Sequence, residues 1–378
     1  MFHDLVLAAG EEFGRVAFCT DEKTLAGSTK VKLIRCPRFD NASFRTRLST
    51  WLSYFVTAGL KSRLEPGRPL LFIVSNPPLM PVFGWIANKL NGQKYVLLFY
   101  DIYPEALIRF AGLSRRSLIA WAWGFLNRIA LEKAALTITI SPGMADVLAR
   151  YAPPAAAPRI SVIPTWVDVD FIRPIPKKQN EFARRHGQVG KWTVLYSGNI
   201  GNVHDVSMVT RIADRLRAES EVHFLIISDS PKRIDLERDA ARRGLSNMTF
   251  LPLQDRRTFP LALACGEVGI VALGVGGEGI SMPSKVYSMM AAGSAVLGLS
   301  IPSSDLASLI RAHACGINVS PGDVQGAVDA ILALKREPSL LKTYRENARR
   351  AAVEHFSSAE CVPQIVGLLR KIFASSNH

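Results

Sequence analysis

The hydrophobic positions of this chain form short apolar runs that alternate with amphipathic segments, and glycines or prolines mark many junctions. The runs at 70–74, 95–100 and 268–273 are almost continuously apolar, which is typical of strands buried on both faces of a parallel sheet. Segments 44–60 and 206–219 instead carry apolar residues at helical spacing. The alternation predicts an α/β protein built from strand–helix units.

This alternation occurs twice, on either side of a stretch that has no apolar period. Residues 172–190 are rich in Pro, Lys and Arg and predict a linker between an N-terminal domain (1–171) and a C-terminal domain (191–357). A final helical segment, 358–378, is expected to pack back on the N-terminal domain. Two doubly wound parallel sheets of this kind bind ligands at the carboxyl ends of their strands, in a cleft between the domains.

Composition restricts the partners and the compartment. The formal net charge is +14, and between Lys30 and Arg68 only Asp40 and Glu65 offset many basic residues. Such a region attracts nucleic acid, anionic lipid or phosphorylated substrates. Five cysteines without C-x-x-C spacing and seven histidines without a clustered pattern predict no metal, no cofactor and a reducing, cytoplasmic setting.

A glycine-rich stretch after the apolar run 268–273 carries the first chemical signal. Ser281 and Pro283 indicate a helix start, which places Lys285 in the first helical turn. A cation at this position opposes the helix macrodipole, and a phosphate between the helix end and the ammonium would resolve the conflict. The alternative is a lysine that simply extends into water.

The same stretch contains the dinucleotide fingerprint G-x-G-x-x-G at Gly274, Gly276 and Gly279. That motif should open a helix directly after the first strand, with an acidic residue about 20 positions later. Here the helix is delayed to Pro283 and Leu299 occupies the acidic position, so we reject binding of a nicotinamide dinucleotide.

A second glycine loop, 196–205, joins a strand to a helix and would let backbone amides approach an oxyanion. An ordinary tight turn is the alternative. Lys232 and Arg233 follow the next strand and add two cations, which would also suit a solvated helix start. Asp101, at the tip of the strand 95–100, is a candidate to orient or deprotonate a substrate hydroxyl, with helix capping as the alternative.

Asp168 and Asp170 form a D-x-D pair of the type that holds a metal–nucleotide in other sugar transferases. Their place in a Trp- and Pro-rich connector favours a structural role instead.

The order of these motifs resembles glycosyltransferase family 4, whose members are retaining GT-B enzymes, and within it the branch that acts on cell-surface polysaccharides. The matching segments run through nearly the whole chain in the family's order. They are 76–78 (NPP), 101–105 (DIYPE), 140–144 (ISPGM), 163–168 (IPTWVD), 196–201 (YSGNIG) and 283–285 (PSK).

The resemblance implies a nucleotide-diphosphate sugar held mainly by the C-terminal domain and a glycan or lipid-linked acceptor held mainly by the N-terminal one. Lys285 would contact the diphosphate, the loop around Glu278 would contact the donor sugar, and Asp101 and Lys285 would be the catalytic residues. The full donor-binding set would be Gly198, Asn199, Gly201, His204, Lys232, Arg233, Glu278, Ser284, Lys285 and Ser288.

The chain departs from the family pattern at the donor site. The two glutamates of the family's E-x7-E pair are replaced by Ile280 and Ser288, with Glu278 two residues away. Asn199 and His204 stand where many members have Arg and Lys, so more of the diphosphate charge falls to Lys285 and to the cations at 232–233.

These observations predict a metal-independent, retaining glycosyltransferase of the hexosyltransferase type, with polysaccharide biosynthesis as its setting. The diphosphate leaving group would be stabilised by fixed dipoles and Lys285. A GT-B sugar-nucleotide epimerase is the alternative enzyme. A non-catalytic basic scaffold or nucleic-acid binder is the alternative from another class, although we expect no nucleic-acid partner.

Two segments suggest a membrane surface. Residues 44–60 and 115–133 mix Arg with aromatic side chains, as interfacial helices do, which predicts peripheral association with the inner face of the cell membrane. Core packing of Trp51, Trp121 and Trp123 is the alternative.

The N-terminus matches the helix that follows the first strand in the resembled family. We therefore expect the first strand of the N-terminal domain to be missing and residues 4–13 to be helical. The sheet should then be interrupted or have an unpaired edge beside the strand at 16–20, because buried unpaired backbone groups are costly.

Overall fold

The computed structural model describes residues 2–20, 29–37, 44–63, 65, 69–151, 159–201 and 206–374. Its contacts divide the chain into two compact units, which we call unit 1 (Met1–Pro164 with Ala359–His378) and unit 2 (Thr165–Ser358). Each unit contains parallel strands alternating with helices. The predicted fold class of two parallel-sheet α/β domains is confirmed.

Unit 1 contains two separate parallel sheets in its described part. β3, β4, β5 and β6 form the larger sheet in that order, and β1 pairs with β2. The elements in chain order are α1 (Phe2–Phe13), β1 (Val16–Thr20), β2 (Val31–Arg35), α2 (Phe44–Arg63), β3 (Leu71–Val74), α3 (Met80–Asn91), β4 (Tyr95–Phe99), α4 (Glu105–Phe110), α5 (Leu118–Lys133), β5 (Leu136–Thr139), α6 (Pro142–Ala149) and β6 (Ile160–Val162).

The beginning of the chain agrees with the sequence expectation. Residues 4–13 lie within the helix α1, whose Leu5, Val6 and Ala9 are buried. β1 pairs in parallel with β2, and among the described residues neither strand joins the β3–β6 sheet. The interruption therefore lies where it was predicted, beside the strand at 16–20.

Unit 2 is organised around one six-stranded parallel sheet with the order β12-β11-β10-β7-β8-β9. β8, β10 and β11 are buried at every residue, as expected for strands covered on both faces. The elements are a 3-10 turn (Lys177–Gln179), α7 (Glu181–Arg185), β7 (Trp192–Ser197), α8 (Val209–Arg215), β8 (Val222–Ile227), α9 (Pro231–Arg242), β9 (Met248–Leu251), α10 (Phe259–Leu263), β10 (Val268–Ala272), α11 (Lys285–Ala291), β11 (Ala295–Leu299), α12 (Asp305–Ala312), β12 (Gly316–Val319), α13 (Val324–Arg336) and α14 (Pro338–His355).

The stretch 172–190, predicted as a linker, folds within unit 2. The Nδ2 of the fully buried Asn180 donates to the carbonyl of Leu261 at 2.7 Å, and Lys177 forms an ion pair with Glu267 at 2.6 Å. The stretch lacks an apolar period because α7 is short and buries mainly Phe182 and its neighbour. Sequence periodicity does not detect so short a buried element.

The last helix, α15 (Ser358–Ala374), belongs to unit 1 apart from its first residue. Its Phe373 ring lies 5.6 Å from that of Phe13 in α1, and its Arg370 pairs with Glu12 of the same helix. No helix in the described ranges is both long enough and apolar enough to cross a membrane.

The sequence analysis also did not predict α3, the short helix α4 or β12. α3 follows a proline-rich segment, but Pro81 lies in its first turn, where a backbone amide needs no partner within the helix. β12 is a short edge strand that contains Gly316 and the polar Asn318, so its apolar signal is weak.

Candidate active site

The strand order of unit 2 reverses between β7 and β10, so the loops after these two strands diverge from one point. In open α/β sheets, ligands bind at such a reversal, outside the carboxyl ends of the strands. The loop after β7 contains Gly198, Asn199 and Gly201, and the loop after β10 contains Glu278 and leads to Lys285. Two widely separated predicted motifs therefore meet at this edge of the sheet.

Lys285 makes the contact that joins these loops. Its Nζ donates to the hydroxyl of Tyr196 at 2.6 Å and to the carbonyl of Asn199 at 3.0 Å. The ammonium also lies 4.3 Å from the centre of the Tyr196 ring, within the range of a cation–π interaction. Gly198 has a φ of +125°, and a Cβ there would stand 3.7 Å from Lys285 Cε. The lysine thus lies directly against the glycine loop.

A second glycine fixes the position of the helix that carries this lysine. A Cβ at Gly269 in β10 would lie 2.8 Å from Sδ of Met289 in α11, so a larger residue would push the helix away. Met289 lies one turn after Lys285. The close approach of α11 to β10 therefore brings Lys285 beside β7.

The electrostatic state of Lys285 is unusual. Burial lowers the pKa of its ammonium from 10.5 to about 7. Within the described part of the chain no carboxylate forms an ion pair with it, and both of its hydrogen-bond partners are neutral oxygens. An anion bound here would restore the charged form, and a perturbed lysine in such a place is typical of a functional site.

The start of α9 contacts the same glycine loop. Ser230 Oγ donates to the carbonyl of Ile200 at 3.0 Å, and Lys232 Nζ donates to that of Gly201 at 3.2 Å. Lys232 is exposed, whereas Lys285 is half-buried. Two of the predicted cations are therefore held by carbonyls of the 198–201 loop.

Two buried polar atoms near this edge have no hydrogen-bond partner among the described residues. They are Nε of Arg233, whose guanidinium pairs with Glu237 at 3.1 Å, and Oγ of Ser197, the last residue of β7. Buried polar atoms normally find a partner, so both are places where a ligand or water is expected.

The remaining predicted donor residues lie on or beside α11. The carboxylate of Glu278 accepts a hydrogen bond from the amide of Gly276 at 2.7 Å and is half-buried. Ser284 is exposed directly before the helix, and Ser288 is half-buried on it. Ile280, at the first E-x7-E position, is buried and packs as an apolar residue.

Asp101 lies in unit 1, just after β4, and His204 lies outside the described residues. Asp101 is exposed, and its backbone carbonyl accepts a hydrogen bond from Ser75 Oγ at 3.4 Å. Desolvation by surrounding protein raises the pKa of its carboxyl, but its solvent exposure limits this effect.

Sequence reasoning named Tyr196 only as part of a motif and missed it as a site residue. Its hydroxyl accepts from Lys285 and donates to the carbonyl of Asn199 at 3.0 Å, while burial raises the pKa of the phenol. The available signal was a tyrosine at the apolar end of a strand that opens a glycine loop, since a buried tyrosine hydroxyl needs a polar partner.

Asp168, the first residue of the D-x-D pair, takes part in a local turn. Oδ1 of Asp168 accepts the amides of Asp170 and Phe171 at 3.1 and 2.9 Å. In the described ranges no group of three or more His, Cys, Asp or Glu side chains is arranged to hold a metal. Metal-independent transfer itself stays a prediction.

Comparison with known proteins matches each half of the chain to a family model. The model described as Glycosyltransferase Family 4 covers residues 4–171, and the model described as Glycosyl transferases group 1 covers residues 191–337. Two α/β units with parallel sheets and this pair of matches define a glycosyltransferase with the GT-B fold. The chain belongs to the family 4 type of these enzymes, as its motifs indicated.

Relatives and solved structures agree with this assignment. The chain is 26% identical to a protein named as the colanic acid biosynthesis glycosyl transferase WcaI of Escherichia coli strain K12, over 75% of this chain and 69% of the relative. It is also 26% identical to one named as the glycosyltransferase WbjE of Pseudomonas aeruginosa, over 76% and 72%. Sucrose-phosphate synthase from Thermosynechococcus elongatus shares the fold, with a TM-score of 0.76 at 16% identity and coverage of 97% and 91%.

A further structure with this fold is Anabaena HepE in complex with UDP. It gives a TM-score of 0.72 at 14% identity, with 98% of this chain and 96% of that protein covered.

Proposed function

We propose that this glycosyltransferase transfers a sugar from a nucleotide-diphosphate sugar, held by unit 2, to an acceptor held by unit 1, with retention of configuration and without a metal. The observation that carries the proposal is the half-buried ammonium of Lys285, held by Tyr196 and the 198–201 loop without a carboxylate partner in the described chain. A diphosphate supplies the negative charge that such a site favours.

In this mechanism Lys285 stabilises the charge that develops on the departing diphosphate. The amide of Gly198 already donates to the carbonyl of Ile227 at 2.9 Å, so Gly198 lets the loop approach the diphosphate without donating to it. The backbone amides of Asn199 and Gly201 approach the diphosphate oxygens, and His204, a few positions later in the sequence, is a further proposed donor-binding residue. Lys232 and Arg233 add positive charge, and the Nε of Arg233 is a donor that still needs a partner. These groups together take the place of a metal ion.

The remaining predicted site residues bind the sugar and the acceptor. Glu278, with Ser284 and Ser288 on or beside α11, binds the donor sugar and ribose. Asp101 orients the acceptor hydroxyl, and the departing phosphate accepts its proton. A solved relative of the same fold is described in complex with UDP-glucose, which supports a donor of this chemical class.

A polysaccharide or lipid-linked glycan is the proposed acceptor, because one of the relatives is named for colanic acid biosynthesis. The start of α5 supports peripheral association with a membrane: Leu118, Ile119, Trp121 and Phe125 are all at least half exposed. Such side chains are favoured at the interface between headgroups and acyl chains. The proposed location of the enzyme is therefore peripheral, on the cytoplasmic face of the cell membrane.

A screen of sugar nucleotides by thermal shift, followed by NMR of the product's anomeric configuration, tests this function. A bound donor at about 100 times its dissociation constant should stabilise the protein by about 2.7 kcal/mol. Transfer should persist with a chelator present, and the Lys285→Met variant is the control for the site. Inversion of configuration, or loss of turnover on chelation, would contradict the mechanism.

The same assay separates the alternatives. An epimerase would convert the sugar nucleotide without an acceptor and without releasing the nucleoside diphosphate. A basic scaffold would bind oligonucleotides with strong salt dependence and would show no donor turnover.

A further inference from the structure

Unit 1 contains a cavity that has no part in the proposed chemistry. It has a volume of about 200 Å³ and lies between α4, the loop before α5, and the end of α6. Sites for drug-sized ligands are larger, about 300 Å³ or more, so a sugar nucleotide does not fit. Its lining is mostly polar and consists of Glu105, Arg109, Arg115, Val147, Arg150 and Tyr151.

The charges around this cavity favour a small anion. Among the described lining residues one carries a carboxylate, the buried Glu105, which accepts a hydrogen bond from the hydroxyl of Tyr151. Three arginines therefore face a single acid. In the described part of the chain, the guanidinium groups of Arg115 and Arg150 have neither a hydrogen-bond partner nor an ion pair, and both residues are exposed at the cavity mouth.

The cavity adjoins the apolar start of α5. Arg115 lies two residues before Ser117, whose hydroxyl caps this helix by accepting the amide of Ala120 at 3.1 Å. A Cβ at Gly124 in α5 would lie 3.4 Å from the ring of Tyr151, so the helix packs directly on the cavity wall.

The side chains beyond the rim are apolar and exposed. Leu118 is 77% and Trp121 67% exposed, and the rings of Trp121 and Phe125 stack with centres 6.1 Å apart. Leu118, Trp121 and Phe125 are spaced to share one helix face. A soluble phosphate would leave this face in water, whereas a phosphate attached to acyl chains would cover it.

We propose that the cavity binds the phosphate monoester headgroup of a membrane lipid while the exposed face of α5 enters the surrounding interface. A phosphate monoester fits the volume and presents its oxygens to Arg115 and Arg150, which bind phosphate through several donors. The bulkier headgroup of a phosphodiester lipid would stay at the mouth of the cavity and would not enter it. This inference rests on the membrane association proposed above and adds the class of lipid that is recognised.

Vesicle flotation tests the proposal with the full chain. Vesicles of phosphatidylcholine would contain either phosphatidic acid or phosphatidylglycerol, at fractions that give equal surface charge. We expect the wild type to prefer the phosphatidic acid vesicles by about tenfold, since a hydrogen bond to a charged group is among the stronger ones. Inorganic phosphate should reduce this preference.

Matched variants distinguish a built site from general attraction. Arg150→Gln and Arg115→Gln should each abolish the preference while leaving the thermal shift with a sugar nucleotide unchanged. Arg128→Gln removes the same charge from an exposed position of α5 outside the cavity lining. It should weaken binding to both kinds of vesicle equally, so the preference for phosphatidic acid should remain. Trp121→Ser should weaken binding to both.

The outcomes separate this inference from the one on which it rests. Binding to anionic vesicles with no headgroup preference, or a preference that Arg150→Gln and Arg115→Gln both retain, would overturn the cavity and leave the membrane association standing. Failure of the wild type to float with any vesicle would overturn both. If inorganic phosphate binds the cavity but phosphatidic acid vesicles do not, the occupant is free phosphate and the lipid proposal is wrong.

Discussion

The two units bury their apolar residues very differently. In unit 2, β10 and β11 are buried at every position, and cations such as Lys177 and Arg243 are paired with acids at 2.6 and 2.9 Å. In unit 1, α5 exposes Leu118 and Trp121, and α2 exposes Leu52, Val56 and Leu60 at a spacing of four residues.

This difference separates two kinds of surface. In unit 2 the central strands are buried throughout, and the polar groups that we assign to the site, Lys285 and the Nε of Arg233, lie in segments that follow the carboxyl ends of strands of one sheet. Unit 1 leaves apolar side chains and arginines exposed together near α5. We therefore expect the small-molecule donor to bind mainly to unit 2, and an extended partner such as a membrane surface to contact mainly unit 1.

The stability contrast is the largest expected effect. Leu297→Ala removes a side chain that is 0% exposed in β11 and should lower the free energy of unfolding by about 2–5 kcal/mol. Leu118→Ala removes one that is 77% exposed and should change it by less than about 0.5 kcal/mol. Denaturant unfolding measures both, and equal costs would contradict the contrast.

Lys285→Ala should reduce turnover on the order of 10²-fold, because it removes the cation proposed to meet the departing diphosphate. Its melting temperature should stay close to that of the wild type or rise slightly, because burial lowers the pKa of this lysine and so disfavours its charged form in the folded protein. Leu118→Ala, in the other unit, serves as the control. Turnover near the wild-type value would remove Lys285 from the site.

Tyr196→Phe should have a smaller effect, about a tenfold loss of kcat/KM or less. It deletes one of the two hydrogen bonds that hold the Lys285 ammonium and keeps the aromatic ring beneath it. A loss as large as that of Lys285→Ala would mean that the hydroxyl contacts the substrate itself.

The smallest effect is a protonation change on donor binding. At about pH 8, free Lys285 with a pKa of about 7 is mostly neutral, and a bound diphosphate favours the ammonium, so binding should take up close to about one proton. At about pH 6 the lysine is already protonated, and the uptake should fall toward zero. Calorimetry with a sugar nucleotide in buffers of different ionisation enthalpy measures this.

Lys285→Met is the control for that titration and should abolish the uptake. An uptake that persists in this variant, or that grows as the pH falls, would assign the proton to another group.

The apolar pattern alone predicted most strands, and the order of the motifs can be read directly from the sequence. β4 and β10 were predictable because five successive buried residues in each leave little choice but a strand covered on both faces. The glycine loop at 198–201 and the lysine at 285 were recognisable because backbone approach and charge are local properties.

Tertiary structure alone decided which of these residues meet. Tyr196 and Lys285 are 89 positions apart, and they become neighbours because β7 and β10 are adjacent in the sheet and Gly269 lets α11 approach it. The folding of 172–190 into unit 2 and the grouping of Arg115 with Arg150 depend on contacts between distant segments in the same way. Periodicity reports the face that a segment buries, while the identity of its neighbour is set by the packing of the whole unit.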